Sequence, residues 1–307
     1  MNIEQIHPEL RKSFGRLPRL PLHNRLFVAL FGVLMRLVPA PQAGPGVTIE
    51  NRILKSAGAR IYRPEGALSG AGLLWIHGGG LIGGRPAQDD SICGALARDL
   101  KLVVVSVKYR LAPAHRYPAA IDDCFEVWQW LQRSARDLGV DPARLAVAGQ
   151  SAGGGLAACL AQRVFDGGGV QPAAQALLCP MLDDRTATRH ELDAIEHPLW
   201  NGRSNRAAWT WYLGQPAGLP SVPSYASAAR RGDLAGLPPT WISVGNLDLF
   251  HDEDSRYAER LQEAGVSCQL HVSPQAPHAF EVVAPDARPS RELFMALYRF
   301  LGATLGL

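Results

Sequence analysis

LAVAGQSAGG, residues 145–154, runs from an apolar segment through a glycine-flanked serine into a series of small residues. This pattern predicts a strand, a sharp turn and a helix, with Ser151 at the apex of the turn. Because strand and helix nearly touch around such a turn, Gly149 and Gly153 must lack bulky side chains. We expect the Ser151 hydroxyl at the carboxyl edge of a sheet, beside the Ala152 N–H. An ordinary glycine-rich loop is the alternative.

A second glycine-rich turn, HGGG at 77–80, follows the apolar run at 73–76. Three glycines at the end of a strand allow the backbone N–H groups of Gly79 and Gly80 to turn toward one point. Together with the Ala152 N–H, they are candidates for an oxyanion hole, in which donors stabilise the negative charge on an attacked carbonyl oxygen. A simple glycine turn is again the alternative, but the two motifs together are more specific than either alone.

A serine nucleophile on such a turn needs a base and an acid, which follow it in the order Ser, Asp or Glu, His. Asp248 comes just after the predicted strand 240–245, at a carboxyl end of the sheet, where catalytic groups collect. His278 lies in a proline-flanked loop between the predicted strand 267–272 and the last helix. The sequence therefore predicts Ser151, Asp248 and His278 as a catalytic triad.

Other residues near these positions are weaker candidates. His251 lies in the turn after Asp248 and His271 lies inside a strand, so we expect both to serve the structure. The acidic run from Asp252 to Asp254 is typical of the first turn of a helix, where carboxylates stabilise the helix dipole.

The order of elements predicts the fold class. Strands and helices alternate from residue 73 onward, which indicates an α/β fold with a mostly parallel sheet covered on both faces. The stretch 183–232 interrupts this alternation and is too long for a plain connection. We expect it to form a helical cap together with residues 1–45. The catalytic core then comprises residues 46–182 and 233–307.

Composition excludes several classes of function. The chain has 307 residues and a formal net charge of only +3, and its arginines are scattered, so nucleic-acid binding has no support. There is no CxxC pair and no metal-ligand spacing, so no metal is predicted. The five cysteines stand singly in apolar segments, which predicts reduced thiols and a cytoplasmic location: they are Cys93, Cys124, Cys159, Cys179 and Cys268.

The apolar run at 26–35 is too short to span a bilayer and begins late for a signal sequence. We expect no stable membrane insertion and interpret the run as a helix packed over an apolar pocket. Loose contact of the same face with a membrane is the alternative. The predicted pocket residues are apolar and lie mostly in the two cap segments: Leu26, Phe27, Leu30, Leu81, Trp209 and Trp211.

In its motifs the chain resembles the hormone-sensitive lipase family of α/β-hydrolases, in its bacterial esterase branch. The matching motifs appear in the family's order over roughly residues 45–300: HGGG at 77–80, YRLAP at 109–113, PAA at 118–120 with Asp123, GQSAGG at 149–154, Asp248 with Asp252 and Glu253, and PHAF at 277–280.

The resemblance implies an eight-stranded α/β-hydrolase core with a cap built from the N-terminus and from an insertion after the sixth strand. It implies hydrolysis of small carboxylic esters, with acyl chains of roughly eight carbons or fewer, and without a metal or cofactor. Ser151, Asp248 and His278 fall on the family's triad. Pairing into a homodimer is a further expectation by resemblance.

The chain departs from the family pattern at three places. Gln150 stands where the branch usually has Asp before the nucleophile, Ala114 replaces the usual Glu after YRLAP, and Gly155 replaces the usual Asn. We expect altered local hydrogen bonds and an intact triad. Two other functions stay open: acyl transfer on an amide, lactone, carbamate or arylformamide, and a non-catalytic ligand receptor. Receptors of this family have lost the catalytic His, whereas this chain has a histidine at that position, His278.

Overall fold

A central eight-stranded sheet organises the computed structural model, which describes residues 1–307 apart from the side chains of Met35 and Arg36. In chain order, the strands are β1 Val47–Ile53, β2 Gly58–Pro64, β3 Gly72–Ile76, β4 Val103–Lys108, β5 Leu145–Gln150, β6 Gln175–Leu178, β7 Thr240–Gly245 and β8 Cys268–Ser273.

The spatial order of the strands is β1-β2-β4-β3-β5-β6-β7-β8. Strand β2 pairs antiparallel with β1 and with β4, and the remaining neighbours are parallel. The prediction of a mostly parallel sheet of about eight strands is therefore confirmed.

Helices cover both faces of this sheet. They are α1 Pro8–Phe14, α2 Arg25–Leu37, α3 Asp90–Leu100, α4 Ala119–Ser134, α5 Ala152–Asp166, α6 Gly202–Leu213, α7 His251–Glu263, α8 Phe280–Val283 and α9 Arg288–Leu305. Helices α4, α5 and α7 contribute to one buried apolar cluster, and α1, α3 and α9 contribute to a second. Strands β3 and β5 are buried along their whole length, as expected for parallel strands between two layers of helices.

The two segments predicted as a cap touch each other. The N-terminal ammonium group of Met1 donates to the Glu196 carbonyl at 3.2 Å, and the Arg19 guanidinium pairs with the Glu196 carboxylate at 2.6 Å. The second segment, which contains α6, lies in the chain between β6 and β7. None of the helices described here is both long enough and apolar enough to cross a bilayer.

The contact between helix α5 and strand β3 leaves no space for a side chain at Gly153. A Cβ atom at this position would lie 2.0 Å from the carbonyl oxygen of Ile76, which is backbone and cannot move aside cheaply. We expect Gly153→Ala to lower the free energy of unfolding by about 1–3 kcal/mol, as overpacking does, in a denaturant titration. Gly232→Ala is the matched control, because a Cβ there meets no atom within 4 Å. Equal stability of the two variants would contradict this close contact.

Candidate active site

Ser151 occupies the turn between β5 and α5 in a strained backbone conformation, with φ at +53° and ψ at −121°. Its N–H donates to the Leu178 carbonyl at 2.7 Å, which holds the turn against the neighbouring strand. A Cβ atom on Gly149 would lie 2.3 Å from the Gly153 carbonyl oxygen. The backbone therefore crosses itself closely here, and the serine projects from the crossing.

Three side chains distant in sequence form one hydrogen-bonded series at this turn. The Ser151 Oγ lies 2.9 Å from His278 Nε2, and His278 Nδ1 lies 2.8 Å from Asp248 Oδ2. All three residues are buried. The structure thus brings together the serine, the histidine and the acid that the sequence singled out.

Phe250 makes a further contact with each of Asp248 and His278. The other carboxylate oxygen of Asp248 accepts the backbone N–H of Phe250 at 2.9 Å. The ring of Phe250 meets the His278 ring edge-on, with centroids 5.2 Å apart. Rotation of either group would break one of these contacts, so the imidazole is fixed with Nε2 toward Ser151.

Burial and charge act on His278 in opposite directions. Burial alone lowers the pKa of the imidazole, but the charge of Asp248, the hydrogen bond to it and the charge of Glu281 outweigh this effect, and the His278 pKa is raised from 6.5. An imidazole with a raised pKa is a stronger base, and it accepts a proton from a hydroxyl more readily.

The HGGG turn lies beside the serine with its glycines in backbone conformations that other residues rarely adopt. Gly79 has φ at +126° and Gly80 has φ at +62°. Among the described residues, no acceptor binds the N–H of Gly79, Gly80 or Ala152. These three donors remain available to an incoming oxygen atom.

His77 supports the glycine turn from beneath. Burial lowers the pKa of His77 to about 4, so the ring is neutral near pH 7 and its Nδ1–H donates to the Gly78 carbonyl at 2.8 Å. The ring stacks on Tyr109 at 4.3 Å, and the Tyr109 hydroxyl donates to the His77 carbonyl at 2.9 Å. Through these contacts His77 orders the loop.

Trp200, from the segment between β6 and β7, covers the glycine turn. A Cβ atom on Gly80 would lie 2.1 Å from the Trp200 ring, so only glycine fits beneath it. The sequence places Trp200 in the insertion 183–232 but gives no sign of this contact. The Trp200 ring lies against the turn that carries the candidate donors.

A pair of polar side chains lies behind the nucleophile turn. The Gln150 side-chain amide donates to the buried Glu281 carboxylate at 2.5 Å. Glu281 lies three residues after His278, so the pair joins the histidine loop to the serine turn. Burial raises the pKa of Glu281. The family's usual Asp at position 150 would set two acids against each other here, whereas the glutamine supplies a donor.

The predicted pocket residues differ in their surroundings. Leu26 and Leu30 lie on the side of α2 that faces away from the core and are exposed, and their place in a pocket stays a prediction. Phe27 and Trp211 are half-buried, and Leu81 is buried.

Trp209 is fully buried and packs edge-on against Tyr212, and its role in a pocket stays a prediction.

The weaker candidates for base and acid stand apart from the site. His251 begins α7 and contacts Asp252, whose carboxylate pairs with Arg189 at 2.8 Å. His271 lies on β8 and stacks against Trp241. Glu253 and Asp254 occupy the first turn of α7, as the sequence predicted, and both are buried: their pKa values are raised by burial.

One group of potential metal ligands coincides with the site. The Cys179 sulfur and donor atoms of Asp248 and His278 lie within 4.8 Å of one another. Asp248 and His278 are already bonded to each other, and burial raises the pKa of the Cys179 thiol well above its ordinary value. A protonated thiol is a poor ligand, so this group does not favour metal binding.

Comparisons with known proteins agree with this architecture. Residues 73–282 match a family model described as an alpha/beta hydrolase fold. The chain is 34% identical to the esterase LipI of Mycobacterium tuberculosis over 274 residues, covering 88% of this chain and 80% of that protein. It is 31% identical to an ethyl acetate hydrolase of Pseudomonas putida over 296 residues, covering 89% and 88%. Among solved structures, a bacterial heroin esterase is similar with a TM-score of 0.89 and 33% identity, covering 99% of both chains.

The fold and the matched region define an α/β-hydrolase. The chain belongs to the hormone-sensitive lipase family, in its bacterial esterase branch, and is a serine ester hydrolase.

Glu281 provides a test of the electrostatics around His278. Activity requires a neutral imidazole, so it should fall as pH drops through the raised His278 pKa. Glu281→Gln removes a charge that raises this pKa and leaves an oxygen that still accepts from Gln150. We expect the acid limb of the kcat/KM profile to shift to lower pH. Glu259→Gln, an exposed change on α7, is the control and should leave the limb in place. An unshifted limb in Glu281→Gln would contradict this role.

Proposed function

We propose that the protein is a serine carboxylesterase that hydrolyses short-chain acyl esters through Ser151, His278 and Asp248. The observation that carries this proposal is the unbroken hydrogen-bonded series from Ser151 to Asp248 beside three backbone N–H groups without protein acceptors. A nucleophile, a base with a raised pKa and a set of oxyanion donors are the parts that acyl transfer requires.

In the first half of the reaction, Ser151 Oγ attacks the ester carbonyl carbon while His278 Nε2 takes the hydroxyl proton. Asp248 keeps the proton on Nδ1 and stabilises the imidazolium. The carbonyl oxygen becomes an oxyanion that accepts from the N–H groups of Gly79, Gly80 and Ala152. One such donor typically lowers the barrier by about 2.7–4 kcal/mol. The imidazolium then protonates the departing alcohol, and an acyl ester of Ser151 remains.

In the second half, water takes the place of the alcohol. His278 Nε2 removes a proton from the water as its oxygen attacks the acyl carbon, and the same three N–H groups stabilise the second oxyanion. When the intermediate collapses, the proton on Nε2 returns to Ser151 Oγ. The carboxylic acid leaves and the enzyme regains its initial state, with no other co-reactant.

A cleft of about 680 Å³ separates residues 1–23 from residues 193–203, the two segments we propose as parts of a cap. His197 lines this cleft, and burial lowers the pKa of its imidazole. We propose this cleft as the route by which the ester reaches Ser151. None of the residues that line it is among the six pocket residues predicted from sequence.

The position of Trp200 supports small substrates. Trp200 lies directly over Gly80, so an acyl chain bound at the donors meets an aromatic wall close to the reacting carbon. Short acyl chains fit beside such a wall, whereas a long chain must leave through the cleft. The isolated, mainly buried cysteines support the proposed cytoplasmic location, where thiols stay reduced.

Hydrolysis of p-nitrophenyl esters from acetate to palmitate tests this function. We expect kcat/KM to be highest for short chains and to fall beyond roughly eight carbons. Ser151→Ala removes the nucleophile, and turnover should drop by about 10⁴-fold or more with an unchanged thermal unfolding midpoint.

Two results would contradict the proposal. Near-complete activity in Ser151→Ala would exclude the serine mechanism. Faster turnover of palmitate than of butyrate would exclude the short-chain preference. A folded protein without activity on any ester would transfer the assignment to amide, lactone or carbamate substrates, or to the non-catalytic receptor.

A further inference from the structure

Helix α2 carries an apolar face that nothing in the described part of the chain covers. Its exposed side chains recur at the spacing of one helical face, and together they are called the outer face: Leu26, Leu30, Val33, Leu34 and Leu37. Leu26 is 79% exposed, Leu30 68% and Leu37 77%. Monomeric proteins rarely leave a continuous apolar strip in water unless it binds something.

The opposite side of α2 is already in use. Val28 is buried in the main apolar cluster, and Phe27 stacks on Phe31 with ring centroids 5.5 Å apart. The Asn24 side chain caps the first turn by accepting the N–H groups of Leu26 and Phe27. The helix is therefore anchored through its inner side, and the outer face is a surface feature that contributes nothing to the core.

The stretch of sequence that contains α2 carries charges of one sign only. No Asp or Glu occurs between Glu9 and Glu50, whereas the same stretch contains six basic residues: Arg11, Lys12, Arg16, Arg19, Arg25 and Arg36. Arg11 pairs with Glu4 and Arg19 with Glu196.

Three of these basic residues remain for an outside partner. Lys12, Arg16 and Arg25 are exposed, and none of them pairs with an acid among the described side chains. Arg25 directly precedes Leu26, so a cation lies at the margin of the outer face. A partner of this region must offer an apolar interior and negative charge at its boundary.

We propose that the outer face of α2 binds the surface of an anionic phospholipid bilayer. Its leucine side chains enter the boundary of the acyl chains, Arg25 at the margin of the face meets the headgroup phosphates, and Lys12 and Arg16 add to the attraction of this region to a negative surface. The helix has 13 residues and is about 20 Å long, shorter than the hydrocarbon core of a bilayer, so it lies in the plane of the surface. Such binding is reversible and does not depend on the proposed ester hydrolysis.

A second copy of the chain fits this face less well. A symmetric pair built on α2 would bring the same acid-free, basic stretch of both copies together, and like charges would oppose the contact. Anionic lipid supplies the negative charge that a second copy lacks. Near such a surface, each Lys or Arg raises the affinity of the protein for the membrane about fivefold.

Sedimentation of the full chain with vesicles tests the proposal. One vesicle preparation contains phosphatidylcholine alone, and the other contains equal parts of phosphatidylcholine and phosphatidylglycerol. We expect cosedimentation with the second, at least tenfold weaker binding to the first, and reduced binding at high salt. Leu26→Gln/Leu30→Gln should weaken binding to the anionic vesicles at least tenfold. Arg16→Gln/Arg25→Gln should weaken it by about 25-fold, fivefold for each charge.

Ile53→Gln is the matched control, because Ile53 is 92% exposed on the edge strand β1, outside α2. It should bind like the original chain, and thermal unfolding midpoints verify that all variants fold. Failure of the original chain to bind anionic vesicles would overturn the proposal, as would unchanged binding in either double variant. Size-exclusion chromatography with light scattering tests whether a second copy of the chain binds the outer face instead. A dimer that becomes monomeric in Leu26→Gln/Leu30→Gln would assign the outer face to that second copy.

Discussion

The close contact of backbone with backbone around Ser151 is the constraint on which the site depends. Gly149 and Gly153 approach each other, and Gly153 also meets the carbonyl of Ile76, so strand β3 and helix α5 lie against the turn with no side chain between them. Strand β3 leads directly into the HGGG turn. The same contact that presents the Ser151 hydroxyl therefore brings the N–H of Ala152 to the N–H groups of that turn. The proposed nucleophile and the proposed oxyanion donors are therefore positioned by a single packing arrangement.

The charged groups of the site are buried next to this backbone contact. Asp248 and His278 come from the ends of β7 and β8, adjacent parallel strands, and their hydrogen bond is shielded from water. Burial lowers the pKa of the imidazole, but Asp248, through its charge and its hydrogen bond, and the charge of Glu281 together raise it further. Gln150 and Glu281 link the histidine loop to the serine turn from behind. The glutamine that stands in place of the family's usual Asp at position 150 thus has an acid as its hydrogen-bond partner.

Sequence patterns are enough to place a residue in the fold where its position along the chain determines its position in space. Glycine spacing and the order Ser, Asp, His located Ser151, Asp248 and His278, because parallel strands place their carboxyl ends at one edge of the sheet. The sequence could not predict that Trp200 covers Gly80, since that contact joins a long insertion to a distant loop. Nor could it orient α2: an apolar run with hydrophobic residues all round does not reveal which side packs, and Leu30, a predicted pocket residue, is 68% exposed.

Labelling with a fluorophosphonate tests most directly whether Ser151 is an activated nucleophile. Attack by Ser151 Oγ on phosphorus expels fluoride and leaves a stable phosphonyl ester, which adds the mass of one phosphonyl group to the chain. Mass spectrometry of the intact protein and of its peptides should find a single adduct on Ser151, and His278→Ala should label far more slowly because the base is missing. A folded protein that stays unlabelled, or an adduct on another residue, would contradict the account.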